Sequence, residues 1–266
     1  MAPASKKTEE WERQAVASAL RRRGVPEVRP RREGLLLPSS KRHWDRWYAL
    51  LRHYSFRLFL RDLIRLRSGA RVEELARYCS PQVAADFVRA LRVLRVVEVH
   101  GEVVRLRQGG IHSFGPTLEW FVAEVLRREF GMKVDWGLRP TGAAGGGDYD
   151  VIGLADGALV YVEVKSAAPR NIELAQTRAF VGRVASLAPD VAIFLNDTQL
   201  RMLDKLVPAI QHELDTALPR AGRFERLEGE VFVAADRVFV TNSEPDVVAN
   251  LGICLAHFLR RRAGYV

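Results

Sequence analysis

The chain has 266 residues, 48% of them apolar and 27% charged, with a formal net charge of +9. That length suits one large domain or two modest ones with a sizeable core, and no apolar run approaches the roughly eighteen residues of a membrane span, which excludes a membrane-spanning reading. The two cysteines, Cys79 and Cys254, fit neither a disulfide framework nor a zinc site, which points to a reducing, cytoplasmic setting.

Charge is uneven along the chain. Residues 1–110 hold 24 Lys and Arg against 12 Asp and Glu, leaving 17 against 20 for the rest. A basic front half suits a polyanionic partner, because phosphates attract fixed cations and release counterions on contact. The start has no contiguous apolar core behind basic residues, so no secretory signal is expected.

In chain order, residues 8–23 read as a short amphipathic helix ending at Gly24. The stretch 25–40, with Pro26, Pro30 and Pro38 among several arginines, reads as a linker or extended arm. Residues 1–40 are therefore expected to stand apart as helix plus arm. Helical spacing of Trp44, Trp47, Leu50, Leu51, Phe56, Leu60 and Ile64 predicts one helix over 43–67. A second is expected at 72–79, and a third at 81–94 with Ser80 as cap and Pro81 in the first turn. The alternating stretch 96–107 around His100-Gly101 predicts a hairpin. Three helices and a hairpin, over 41–110, are the order of a winged helix, whose third helix commonly enters the major groove. Arg89, Arg92 and Arg95 project from the C-terminal half of that helix, and Arg105 and Arg107 share one face of the hairpin. All five are candidates for nucleic-acid contact.

Gly109-Gly110 marks the expected boundary, and 111–266 changes rhythm. A helix at 116–130, a strand at 132–139, a glycine-rich loop at 142–147 and two strands about Asp156-Gly157 come first. A helix at 171–187, a strand at 191–196, a helix at 198–217, a hairpin near 230–241 and a last helix from Pro245 to Arg262 follow. Strands mixed with helices predict an α/β layered domain.

The segment 147–166, GDYDVIGLADGALVYVEVKS, carries the chemistry. Asp-Gly between alternating apolar residues predicts a two-residue hairpin loop. Pairing Ala155 with Ala158 places Asp150 across from Glu163 and Asp148 across from Lys165, all on one face. Tyr149, Val151, Val160, Val162 and Val164 form the opposite face, which is expected to be buried. Facing carboxylates repel, and a divalent cation turns that repulsion into attraction; Mg²⁺ is usually held by one or two carboxylates plus water and phosphate oxygens. Lys165 would bind phosphate as a point charge or help activate water. Glu119, in the first turn of the 116–130 helix, is a possible third acid.

Glu119 in GPTLEWFV, Asp150 in GDYDVIG and Glu163-Val164-Lys165 in YVEVKS resemble the PD-(D/E)XK nuclease signature. The spacing is similar to that of archaeal Holliday-junction resolvases, and the helix start resembles Mrr-like and CRISPR-accessory nucleases. The resemblance covers about 112–200. It implies a restriction endonuclease-like αβββαβ core, Mg²⁺ or Mn²⁺ dependence and phosphodiester hydrolysis. It further implies that Asp150, Glu163 and the Val164 carbonyl ligate metal, that Lys165 is the catalytic lysine, and that Glu119 assists through a second ion or its water shell. Gln176 and Arg178, opening the next helix, fall where related nucleases place phosphate contacts. Tyr149 stands where the signature has proline. The expectation is a homodimeric endonuclease on double-stranded or branched DNA. RNA as substrate, or an inactive nucleic-acid-binding protein, are the alternatives.

Overall fold

The structure, a computed structural model, describes residues 6–66, 68–141 and 147–264. The loop expected at 142–147 thus falls almost wholly outside the described residues. The described residues divide into two units: those within 32–121, and 6–31 with those within 122–264. The first elements, α1 (Lys6–Arg21) and β1 (Val28–Pro30), belong to the second unit.

In the N-terminal unit come α2 (Trp44–Leu51), α3 (Tyr54–Arg65), β2 (Ala70–Arg71), α4 (Val72–Leu75), α5 (Pro81–Val93), β3 (Val97–His100) and β4 (Val103–Leu106). The single helix expected over 43–67 is therefore two. Its buried positions explain the break: Trp47, Tyr48 and Leu51 keep helical spacing, as do Phe56, Phe59, Leu60 and Leu63, but Leu51 and Phe56 are five positions apart. Buried Arg57 donates to the Leu51 carbonyl at 2.6 Å and to the Arg52 carbonyl at 3.2 Å, satisfying orphan acceptors at the end of α2. Ser80 caps α5 through the Val83 amide, as expected. The three strands pair antiparallel in the order β2-β4-β3. Edge-to-face contacts of Phe87 with Phe56 and Phe59, at 5.0 and 5.5 Å, hold α5 to α3.

α6 (Gly115–Phe130) starts in the N-terminal unit and ends in the C-terminal one, which continues with β5 (Lys133–Pro140), β6 (Tyr149–Ala155), β7 (Ala158–Lys165), α7 (Leu174–Leu187) and β8 (Val191–Asn196). α8 (Leu206–Ala217), β9 (Glu225–Glu228), β10 (Val231–Ala234), β11 (Val238–Thr241) and α9 (Val247–Arg262) complete it. The sheet runs β1-β5-β6-β7-β8-β11-β10-β9, with β7, β8 and β11 parallel and the other pairs antiparallel. This is a mixed α/β unit, as the alternation of elements led one to expect. α1, α7 and α8 share a core with Tyr161, Ile152 and Phe194 on one face of the sheet. On the other face, a Cβ at Gly153 would meet Leu126 of α6 at 3.4 Å and Met132 at 3.1 Å, so glycine lets the helix come close.

Three expectations change here. Residues 6–31 are not a separate arm: Val16, Ala19 and Leu20 are buried in the C-terminal unit's core, and β1 adds an edge strand to β5. The helix expected at 198–217 begins only at Leu206, because Pro208 donates no N–H and fits a first turn rather than an interior. The sequence reading also passed over β9, a charged, mostly exposed edge strand.

Candidate active site

Asp156 and Gly157 both have positive φ, 49° and 77°, as a two-residue hairpin loop of type I′ needs. Ala155 pairs with Ala158, and the ladder keeps that register to Val151 and Val162. Asp150 and Glu163 come next, and their carboxylates meet at the Lys165 ammonium. Lys165 Nζ lies 2.6 Å from Glu163 Oε1 and 3.5 Å from Asp150 Oδ2. Asp150 Oδ2 also accepts the Val164 amide at 2.8 Å, so Val164 enters the cluster through its N–H.

Two residues that the sequence reading did not name complete the cluster. Arg183 of α7 donates to Glu163 Oε2 at 2.7 Å and to the Tyr161 hydroxyl at 2.6 Å, and that hydroxyl donates to Glu163 Oε2. Both carried a signal. Tyr161 stands two residues before Glu163, hence on the same face of its strand. Arg183 lies three residues beyond Phe180 and four before Leu187, a charge within an otherwise apolar helical stripe. Gly147 leaves room for it: a Cβ there would sit 2.8 Å from Arg183 Nη1.

Burial sets the electrostatics. It is the largest cause raising the Asp150 carboxyl to about 7, with Glu163 adding to the rise and Lys165 opposing it. For Glu163, burial raises the pKa, but Lys165 and Arg183 outweigh it and hold the acid below its usual range. For Lys165, burial lowers the pKa, yet the two carboxylates win and the ammonium is held above its ordinary value. The site thus has one firmly ionised acid, one acid that titrates near neutrality, and a lysine that stays charged.

Asp148 does not join them. It pairs instead with Arg139 at 2.8 Å and Arg31 at 2.7 Å, and these bonds, the Arg139 one foremost, lower its pKa against the pull of burial. Gln176 accepts the Glu173 amide at the start of α7, and Arg178, mostly exposed, pairs with Glu213 of α8 at 3.2 Å. The basic residue that α7 sends to the cluster is therefore Arg183. Glu119 is carried by the N-terminal unit, in the second turn of α6 and half-buried. Among the described residues no group of three or more His, Cys, Asp or Glu is placed to hold a metal ion.

In the N-terminal unit, Arg89 and Arg92 are exposed on α5, and Arg89 pairs with Asp86. Arg95 follows that helix in the left-handed region, φ 57°. Arg105 faces Glu98 across the β3–β4 ladder, and exposed Arg107 extends it by donating its amide to the Val96 carbonyl at 2.9 Å.

No protein-family model matches this chain, and no curated protein matches it. Among solved structures it is similar to the crystal structure of protein VC1899 from Vibrio cholerae, with 14% identity and a TM-score of 0.44 over 71% of this chain. The chain spans about half, 53%, of that protein's length. No helix of the described residues is long and apolar enough to cross a membrane.

Proposed function

We propose that this chain is a metal-dependent nuclease of the PD-(D/E)XK type, acting on DNA. The observation that carries the reading is the meeting of Asp150 and Glu163, on adjacent strands, at one lysine ammonium. The order α6-β5-β6-β7-α7-β8 supports it, because it repeats the αβββαβ sequence of elements expected of a restriction endonuclease-like core. The helices and three-stranded sheet of the N-terminal unit support a winged-helix role in gripping duplex DNA through Arg89, Arg92, Arg95, Arg105 and Arg107. A symmetric homodimer would let two sites reach two strands.

The donor set fits Mg²⁺ or Mn²⁺. Two carboxylates, one of them raised to about 7 by burial and by its neighbour's charge, are hard oxygen ligands whose repulsion a divalent cation relieves. Asp150 and Glu163 would hold the ion, with the Val164 carbonyl as a further oxygen donor. When bound, such an ion lowers the pKa of an attacking water and offsets charge developing on a phosphodiester. Lys165, kept protonated by the two acids, serves as a fixed cation for a phosphate oxygen rather than as a base. Arg183 and Tyr161 hold the Glu163 carboxylate toward Asp150.

One observation favours the rival, an inactive nucleic-acid-binding protein: Lys165 and Arg183 already balance the two acids without any metal. Plasmid DNA and RNA, each incubated with Mg²⁺, Mn²⁺ or EDTA, separate the readings. Metal-dependent cutting of DNA that Asp150→Ala and Lys165→Ala lose by orders of magnitude, with folding intact, is the expected result. Binding without cutting favours the rival, and cutting of RNA alone makes the chain a ribonuclease.

A further inference from the structure

Asn196 ends β8, and its neighbour on β7 is Lys165. The two strands run parallel with Glu163 opposite Phe194 and Lys165 opposite Asn196, so Asn196 shares the face of Glu163 and Lys165. Phe194, two residues earlier, packs on Phe180 of α7 at 5.2 Å, which identifies that face as the one beneath α7.

The Asn196 side chain is fully buried, 0% exposed, and among the described residues neither its Oδ1 nor its Nδ2 has a hydrogen-bond partner. The strand end does not need that amide for its own order. The Asp197 amide donates to the Lys165 carbonyl at 2.6 Å, and the Thr198 amide donates to the Asn196 carbonyl at 2.8 Å. A buried polar group with both ends unmade is costly, and a leucine of similar size would remove the cost. Asparagine at this place therefore calls for a partner beyond the described residues, and a buried group with both a donor and an acceptor to offer suits water.

We propose that Asn196 is a positioning residue of the site: its carboxamide accepts from and donates to a water molecule held beside Lys165, orienting solvent within the site. This rests on the nuclease reading. No atom of Asn196 itself reacts, so its removal acts on the organisation of solvent and leaves the Lys165 and acid contacts in place.

The test compares wild type, Asn196→Leu, Asn196→Asp and Asp150→Ala. Thermal midpoints are taken in EDTA, Mn²⁺ affinity by calorimetry, and kcat and KM for DNA cleavage. Asn196→Leu is expected to melt at or above the wild-type midpoint while kcat falls at least about tenfold and KM holds. Asn196→Asp, which adds a negative charge to a face already carrying two acids, is expected to tighten Mn²⁺ several-fold. A leucine variant that cuts like wild type overturns the proposal. If that variant instead melts early, Asn196→Asp decides through kcat, because its carboxylate accepts but cannot donate: a fall in kcat at unchanged KM upholds the role, and wild-type kcat overturns it. Wild type that neither cuts nor binds Mn²⁺ removes the nuclease reading itself, a result distinct from a wild type that cuts and a leucine variant that cuts equally well.

Discussion

Asp150 and Glu163, though neighbours, respond to pH in opposite directions. Asp150 is raised to about 7 from an ordinary 3.8, so folding favours its protonated form. Its contribution to stability is fully present below the unfolded value and is lost as pH rises from about 4 to about 7. Glu163 is depressed, so its contribution is present above about 4.5 and is lost as pH falls below that. At about 1.4 kcal/mol per pH unit over a rise of about 3 units, the Asp150 effect is on the order of 4 kcal/mol. Asp150→Asn removes it. In EDTA, the thermal midpoint of that variant is expected to gain on wild type progressively between about pH 4 and about pH 7; a constant gap would contradict the raised acid. Arg183→Met leaves the buried Glu163 carboxylate short of one cation and is expected to cost about 3 kcal/mol in denaturant unfolding. A loss below about 1 kcal/mol would show that Lys165 alone suffices for Glu163.

The hairpin of β6 and β7 brings the acids together, and its loop sets the register. Gly157 at φ 77° occupies a region that L side chains enter only with strain. Gly157→Ala is expected to cost about 1–2 kcal/mol, and cleavage per folded molecule should hold if the register survives. A slip by one residue would flip every side chain to the other face and abolish activity. This element was legible from sequence alone, since Asp-Gly between alternating apolar residues fixes both loop and pairing. Asp148 pairs elsewhere because strand register alone does not see Arg31, just past β1, and Arg139 of β5. The face carrying Glu163 is also buried farther along, at Leu159 and Tyr161, where alternation suggested burial of the other face alone. Strands covered by helices on both sides lose the polar half of their pattern. Arg183 went unnamed because a helical stripe is read for its apolar members, and the single charge within it was the informative residue.

At the scale of the whole chain, sequence showed two rhythms and a basic front half, but not that α1 and β1 return to the C-terminal unit. Nothing local marks Val28–Pro30 as an edge strand; its partner Leu138–Pro140 lies more than a hundred residues on. If the N-terminal unit grips DNA through phosphates, replacing Arg89 and Arg92 with alanine should weaken binding at every sequence. The slope of log K against log salt should shrink by about 1 per lost contact. An unchanged slope in fluorescence anisotropy titrations would remove those two residues from the interface. The central claim is that Asp150 and Glu163 together hold a divalent ion. Anomalous diffraction from Mn²⁺-soaked crystals tests it most directly: a peak touching both carboxylates is the expected result, and ordered Mn²⁺ elsewhere with none at this pair would contradict it.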